Sequence, residues 1–153
     1  MMRALGWLAF VCVASASAVA HAAMSCSIVS TSGVAFGSYD GFSTTPLDSA
    51  GSVAFRCTGV GPADMISIQI GRGSSGSFLP RAMSRHRFRL EYNLFMDAAR
   101  TIVWGDGTGG TSAYTARPVE SQMVSVPIFG RIMPRQNVEA GAYGDLVVLT
   151  VLY

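Results

Sequence analysis

Alternation with a period of two is the clearest pattern in the chain. Residues 87–96 set Phe88, Leu90, Tyr92 and Leu94 against Arg87, Arg89, Glu91 and Asn93. Residues 65–70 set Ile66, Ile68 and Ile70 against Ser67 and Gln69, and residues 52–57 set Val53, Phe55 and Cys57 against Ser52 and Arg56. Successive side chains of a strand point to opposite faces, so these windows predict strands with one face in a core. Residues 26–29 and 34–36 are short apolar runs split by Ser30-Thr31-Ser32-Gly33, consistent with one interrupted edge strand. Residues 101–104 read as a short strand and residues 122–132 as a longer one. Pro127 within the latter predicts an edge or a bulge, because proline lacks the N–H that a ladder needs. Gly, Ser, Thr, Asp and Pro crowd the intervening segments: residues 37–50 read as a long loop, 58–64 as a turn, 71–80 as a flexible connection and 105–111 as a loop.

Residues 141–153 depart from this pattern. After Asp145, seven of the next eight residues are apolar, with no Gly or Pro. A strand apolar on both faces reads as an interior strand, which needs a neighbour on each side for its N–H and C=O groups. Nothing later in the sequence supplies the second neighbour. Either an earlier strand of this chain or a strand from another chain must do so. No window shows a helical period with caps. About seven short strands separated by turns therefore predict an all-β, antiparallel β-sandwich.

Residues 1–22 read as a secretory signal: Arg3 as the positive start, an apolar small-residue stretch, and Ala20-His21-Ala22 fitting small-x-small cleavage. The domain then spans residues 23–153 and is exported. Of three cysteines, Cys26 and Cys57 remain. An even pair in an exported chain makes a disulfide the default, with two separate thiols as the alternative. Closing a loop of about thirty residues contributes on the order of 3–4 kcal/mol in the chain-entropy account.

Only 13% of residues are charged, and every basic side chain other than histidine is arginine. So low a charge suits a protein whose surface partners cover in part. The near-neutral mature chain offers no footprint for nucleic acid. Arg81, Arg85, His86, Arg87 and Arg89 are a local exception. A solvated strand or loop face accounts for them best, with a contact for an acidic partner or glycan as the other reading.

Gly71-Arg72-Gly73-Ser74-Ser75-Gly76 matches the dinucleotide fingerprint, but Pro80 follows where a helix should open, and there is no βαβ unit. Gly105-Asp106-Gly107-Thr108-Gly109-Gly110 holds one carboxylate, too few for calcium. His86 is the single histidine after residue 22, and no serine sits in a nucleophile elbow. No enzyme, cofactor or metal site is expected.

Several motifs in order carry a resemblance: Phe36-Gly37-Ser38-Tyr39, Cys57-Thr58, Leu79-Pro80-Arg81 with Met83, and Leu90-Glu91-Tyr92-Asn93-Leu94-Phe95. Trp104-Gly105-Asp106-Gly107, Gly130-Arg131-Ile132, Gln136 and residues 141–153 complete it. Together they resemble the spore coat protein U domain family, which includes subunits of archaic chaperone–usher pili. The resemblance implies an incomplete immunoglobulin-like sandwich with one disulfide. In that family a periplasmic chaperone lends the missing strand, and in the fibre the N-terminal extension of the next subunit replaces it. The implied partners are the chaperone, the outer-membrane usher and other pilus subunits. The implied acceptor strand carries Tyr143, Asp145, Val147, Leu149, Val151 and Tyr153 on one face.

A buried Asp145 would need an arginine or backbone amides as partners. Phe95 stands where tyrosine is common in the family, and Leu146 and Leu152 where threonine is, which makes the final strand more apolar than usual. Only Ala23, Met24 and Ser25 lie between the expected cleavage point and Cys26. The expectation is a subunit that accepts a strand without donating one, at a fibre tip, supporting adhesion or biofilm formation. The alternative is a self-complete secreted coat protein. Phe42 and Phe78 are loop aromatics expected to meet a surface, although isolated exposed aromatics are common.

Overall fold

The computed structural model describes residues 23–153, so the expected signal segment lies outside the described residues. Eight strands follow in order: β1 (Ser25–Ser32), β2 (Leu47–Thr58), β3 (Ile66–Ile70), β4 (Arg81–Arg85), β5 (Phe88–Phe95), β6 (Tyr114–Ala116), β7 (Met123–Ile132) and β8 (Leu149–Leu152). They form a five-stranded sheet in the order β1-β2-β7-β5-β4 and a three-stranded sheet in the order β6-β3-β8. Every ladder between named strands is antiparallel. The fold is therefore all-β, and its inward faces follow the alternation in the sequence. Val53, Phe55 and Cys57 from β2, Leu90, Tyr92 and Leu94 from β5, and Ile128 and Ile132 from β7 meet Ile66, Ile68 and Ile70 of β3 in one core.

Two close approaches set the packing. Trp104 is fully buried, and its indole N–H donates to the Ile68 carbonyl at 2.9 Å. Any side chain at Gly130 would collide with Val34 and Phe36, so glycine there lets the segment after β1 lie against β7. Phe36 in turn meets the Tyr92 ring edge-on at 6.0 Å.

Cys26 and Cys57 are directly paired across the β1–β2 ladder and joined by a disulfide. It staples the edge strand β1 to the interior of its sheet. A register shift between Ile28 and Ser30 lies midway along β1.

Several sequence expectations need correction. β2 begins at Leu47, so the loop before it is shorter than expected; Asp48 opposite Arg131 anchors the added strand residues, with guanidinium–carboxylate contacts at 2.7 and 2.9 Å. Residues 101–104 form no strand: Val103 and Trp104 make single bridges to Phe95 and Ser112. β4 and β6 went unread, β4 because its arginines masked the alternation and β6 because it is three residues long. Pro127 sits in an interior strand rather than at an edge. β5, however, pairs only with residues 129–132 of β7, so beside Pro127 one side of the strand has no ladder to lose.

Arg81 is not part of a solvated face, because it is 0% exposed. Its Nε donates to the Gly71 carbonyl at 2.9 Å, Nη1 to Asn93 Oδ1 at 2.8 Å, and Nη2 to the carbonyls of Ile70 at 3.1 Å and Trp104 at 2.7 Å. Phe78 is not a surface aromatic either: it is buried, with the guanidinium carbons of Arg72 and Arg81 lying 4.9 and 5.1 Å from its ring centroid. Phe42, in contrast, is 96% exposed.

Candidate strand-acceptor groove

The final segment reaches both sheets. Gly144 exchanges backbone hydrogen bonds with Ser84 of β4, the Gly71 amide donates to the Val148 carbonyl at 2.8 Å, and β8 then pairs with β3. The ladder proper is thus shorter than the residue 141–153 strand read from sequence. In an extended chain, consecutive residues turn their N–H and C=O groups to opposite edges. Gly144 and Val148 spend theirs toward β4 and β3. Asp145, Val147, Leu149 and Val151 therefore present theirs to the opposite edge, which no strand of the described residues covers.

Beyond that edge the two sheets do not close. A groove of about 380 Å³ runs between the 31–36 segment and the 143–149 segment, with Ile70, Tyr92, Leu94 and Ile128 beneath it. A second hollow of about 550 Å³ is lined by Phe36, Tyr39, Met83, Val138, Glu139 and Tyr143. Val34, Phe36, Met83 and Tyr143 line both hollows, so the two are neighbours along the seam.

The six residues expected on the acceptor face distribute as follows. Tyr143, Asp145, Val147, Leu149 and Val151 alternate as half-buried positions, and the first four line the groove. Tyr153 is more than half exposed. On the outward face Leu146 is 84% and Val148 67% exposed, so the apolar run is solvated on its outer side.

Asp145 has partners, though not an arginine. Its Oδ1 accepts from the Ser74 amide at 2.8 Å and the Ser74 hydroxyl at 2.6 Å, and its Oδ2 accepts from the Tyr92 hydroxyl at 2.7 Å. Burial pushes the carboxyl up, but these hydrogen bonds outweigh it and hold Asp145 below the usual carboxylate range. Burial, and then the hydrogen bond to Asp145, pushes the Tyr92 hydroxyl well up, so it stays a donor. Burial also lowers the Arg81 guanidinium from its usual value.

The glycine-rich 71–76 segment is pinned rather than loose. Gly73 has φ of 69°, and a side chain there would strike the Asp145 carboxylate. Its phosphate-loop look has a local cause: the anion its backbone receives is the chain's own Asp145. Similarly, Asp106 caps its own turn by accepting from Thr108. His86 sits exposed, with φ of 51°, at the β4–β5 hairpin tip.

Sequence reasoning missed Ser74 and Tyr92 as the holders of Asp145. Tyr92 was legible only as a core residue, and Ser74 only as part of a flexible loop. The side chain of Gln136 was also unread. It accepts from the Glu91 amide at 2.7 Å and donates to the Glu91 carbonyl at 2.8 Å, standing in beside β5 after β7 ends at Ile132.

Comparison with known proteins agrees with this fold. The sequence model of the Spore Coat Protein U domain matches residues 12–150. Protein U of Myxococcus xanthus is 32% identical over 146 residues, covering 84% of this chain and 77% of that protein. A solved chain from the CsuC–CsuE chaperone–tip adhesion subunit pre-assembly complex, from the archaic chaperone–usher Csu pili of Acinetobacter baumannii, superposes with a TM-score of 0.57 at 20% identity. That match covers 85% of this chain and 40% of the solved one, and at this identity it speaks to the fold.

Proposed function

The chain belongs to the spore coat protein U domain family, and on that premise we propose that it is a structural subunit of an exported surface fibre, completed by a β-strand from another chain. The observation that carries this reading is the bare edge at Asp145, Val147, Leu149 and Val151 above an open groove floored by Ile70, Leu94 and Ile128. Backbone groups along such an edge supply affinity by extending the ladder, while alternate side chains fill the groove and supply specificity. The donor in the periplasm is a chaperone, and in the fibre a neighbouring subunit delivered by an outer-membrane usher. The Acinetobacter complex, in which a chaperone is bound to a tip adhesion subunit before assembly, supports both the partner class and a place at the fibre tip. Adhesion and biofilm formation are the roles that follow from that place.

The test is periplasmic expression of residues 23–153, alone and with a family chaperone. A 1:1 complex that melts cooperatively, with aggregation of the free domain, is the expected result. A stable, cooperative monomer without a partner overturns it in favour of a self-complete coat protein. A tip position would be overturned by recovering the subunit from within a fibre, flanked on both sides.

A further inference from the structure

The groove is hydrocarbon along most of its length, with one charged point. Ile70, Leu94, Ile128, Val147 and Leu149 line it, and Asp145 lies among them beside Tyr92. Its three hydrogen bonds come from neutral donors, the Ser74 amide, the Ser74 hydroxyl and the Tyr92 hydroxyl. No ion pair among the described residues includes it. The buried cation nearby, Arg81, has committed its nitrogens to three backbone carbonyls and Asn93, so it cannot turn to the carboxylate. All of its donors are neutral, which leaves an uncompensated charge on a group that lines the groove.

Building on the strand-acceptor reading, we infer that Asp145 selects the incoming strand by charge and fixes its register. The strand that fits carries an amine, guanidinium or amide donor where it passes Asp145, and apolar side chains at the alternate positions that face Ile70, Leu94 and Leu149. A charge-assisted hydrogen bond in a partly dry groove rewards that match. An acidic residue at the same place meets like charge, which rejects it. Because strand side chains alternate, a slip by two residues moves the cation onto hydrocarbon and leaves Asp145 facing an apolar group. The apolar positions give affinity in any register, whereas Asp145 distinguishes one register from the rest.

The test uses synthetic strands of alternating valine and alanine, each with a single guest lysine, alanine or glutamate moved along the groove-facing positions. The peptides are added to the mature chain as it is released from its chaperone, and affinity is read by fluorescence polarisation with a thermal melt alongside. One guest position is expected at which lysine binds about tenfold tighter than glutamate, a preference that falls as salt rises. In Asp145→Asn that preference should shrink to within about threefold. If Asp145→Asn fails to fold, the salt dependence of the wild-type preference for lysine over alanine decides, since a preference set by the carboxylate's charge must weaken as salt rises. Equal tolerance of lysine and glutamate at every position, with tight alanine-peptide binding, overturns the role of Asp145 and leaves the acceptor groove standing. Failure of every peptide, together with a stable free monomer, removes the acceptor reading and this inference with it.

Discussion

Arg81 shows how one residue can tie a fold together where charge is scarce. Its guanidinium joins the end of β3, the start of the 71–76 turn, Asn93 of β5 and the Trp104 carbonyl. Among the described residues no fully buried side-chain polar atom lacks a partner. Arg81→Met would take the guanidinium donors from three backbone carbonyls, and we expect a loss of about 3–5 kcal/mol in urea unfolding. Arg81→Lys should recover only part of it, since an ammonium cannot reproduce the planar fork. Asp145 makes a second prediction at this scale. Its folded pKa is lowered from 3.8, so its contribution to stability is complete above that value and disappears as pH falls through the folded pKa. A melting temperature that drops below about pH 4, and drops less in Asp145→Asn, is the expected result. Asp48, lowered chiefly by its hydrogen bond from Arg131, adds to the same acid loss. Gly73→Ala should cost about 1–2 kcal/mol in the same unfolding assay, from left-handed strain and displacement of the carboxylate.

At the scale of elements, the Cys26–Cys57 bridge holds β1, an edge strand with β2 as its one ladder partner. Converting both cysteines to serine should cost about 2–4 kcal/mol and release the β1 amides first, as read by hydrogen exchange. The elements also show what a sequence displays and what it conceals. β3 and β5 were legible because isoleucine, leucine and tyrosine alternate there with polar residues, so one face alone is dry. β4 was not, because Arg81 faces the core on its inner side and arginine inside a protein has no periodic signature. β7 was legible as a strand but not in place, since the pairing that spares Pro127 depends on where β5 stops. Asp145 was legible as a residue in need of partners. Ser74, which supplies two of them, lies in a glycine-rich turn whose conformation only the folded contacts determine.

At the scale of the molecule, the open seam makes a directional prediction. The amides of Val147, Leu149 and Val151 should exchange rapidly in the free domain, and those of β2 slowly. Binding of a chaperone or donor peptide should protect the first set by at least about tenfold while changing β2 little. Uniform protection across both sheets without a partner would argue against an open edge. The outward side chains of Leu146 and Val148 should stay solvent-labelled throughout, because a strand added at the edge does not cover the outer face.

The pairing of β3 with β8 also governs how the molecule comes to be folded. Ile70 meets Leu149 only after the chain has run through β4, β5, β6 and β7. The hairpin of β4 and β5 is local and closes early, whereas this pairing must first overcome the entropy of a long loop. Until it does, one edge of β3 has no ladder partner, and the nascent domain carries a bare strand edge. Its hazard is therefore a matter of time: the interval before β8 arrives, rather than the stability afterwards, decides how much of it survives to assemble.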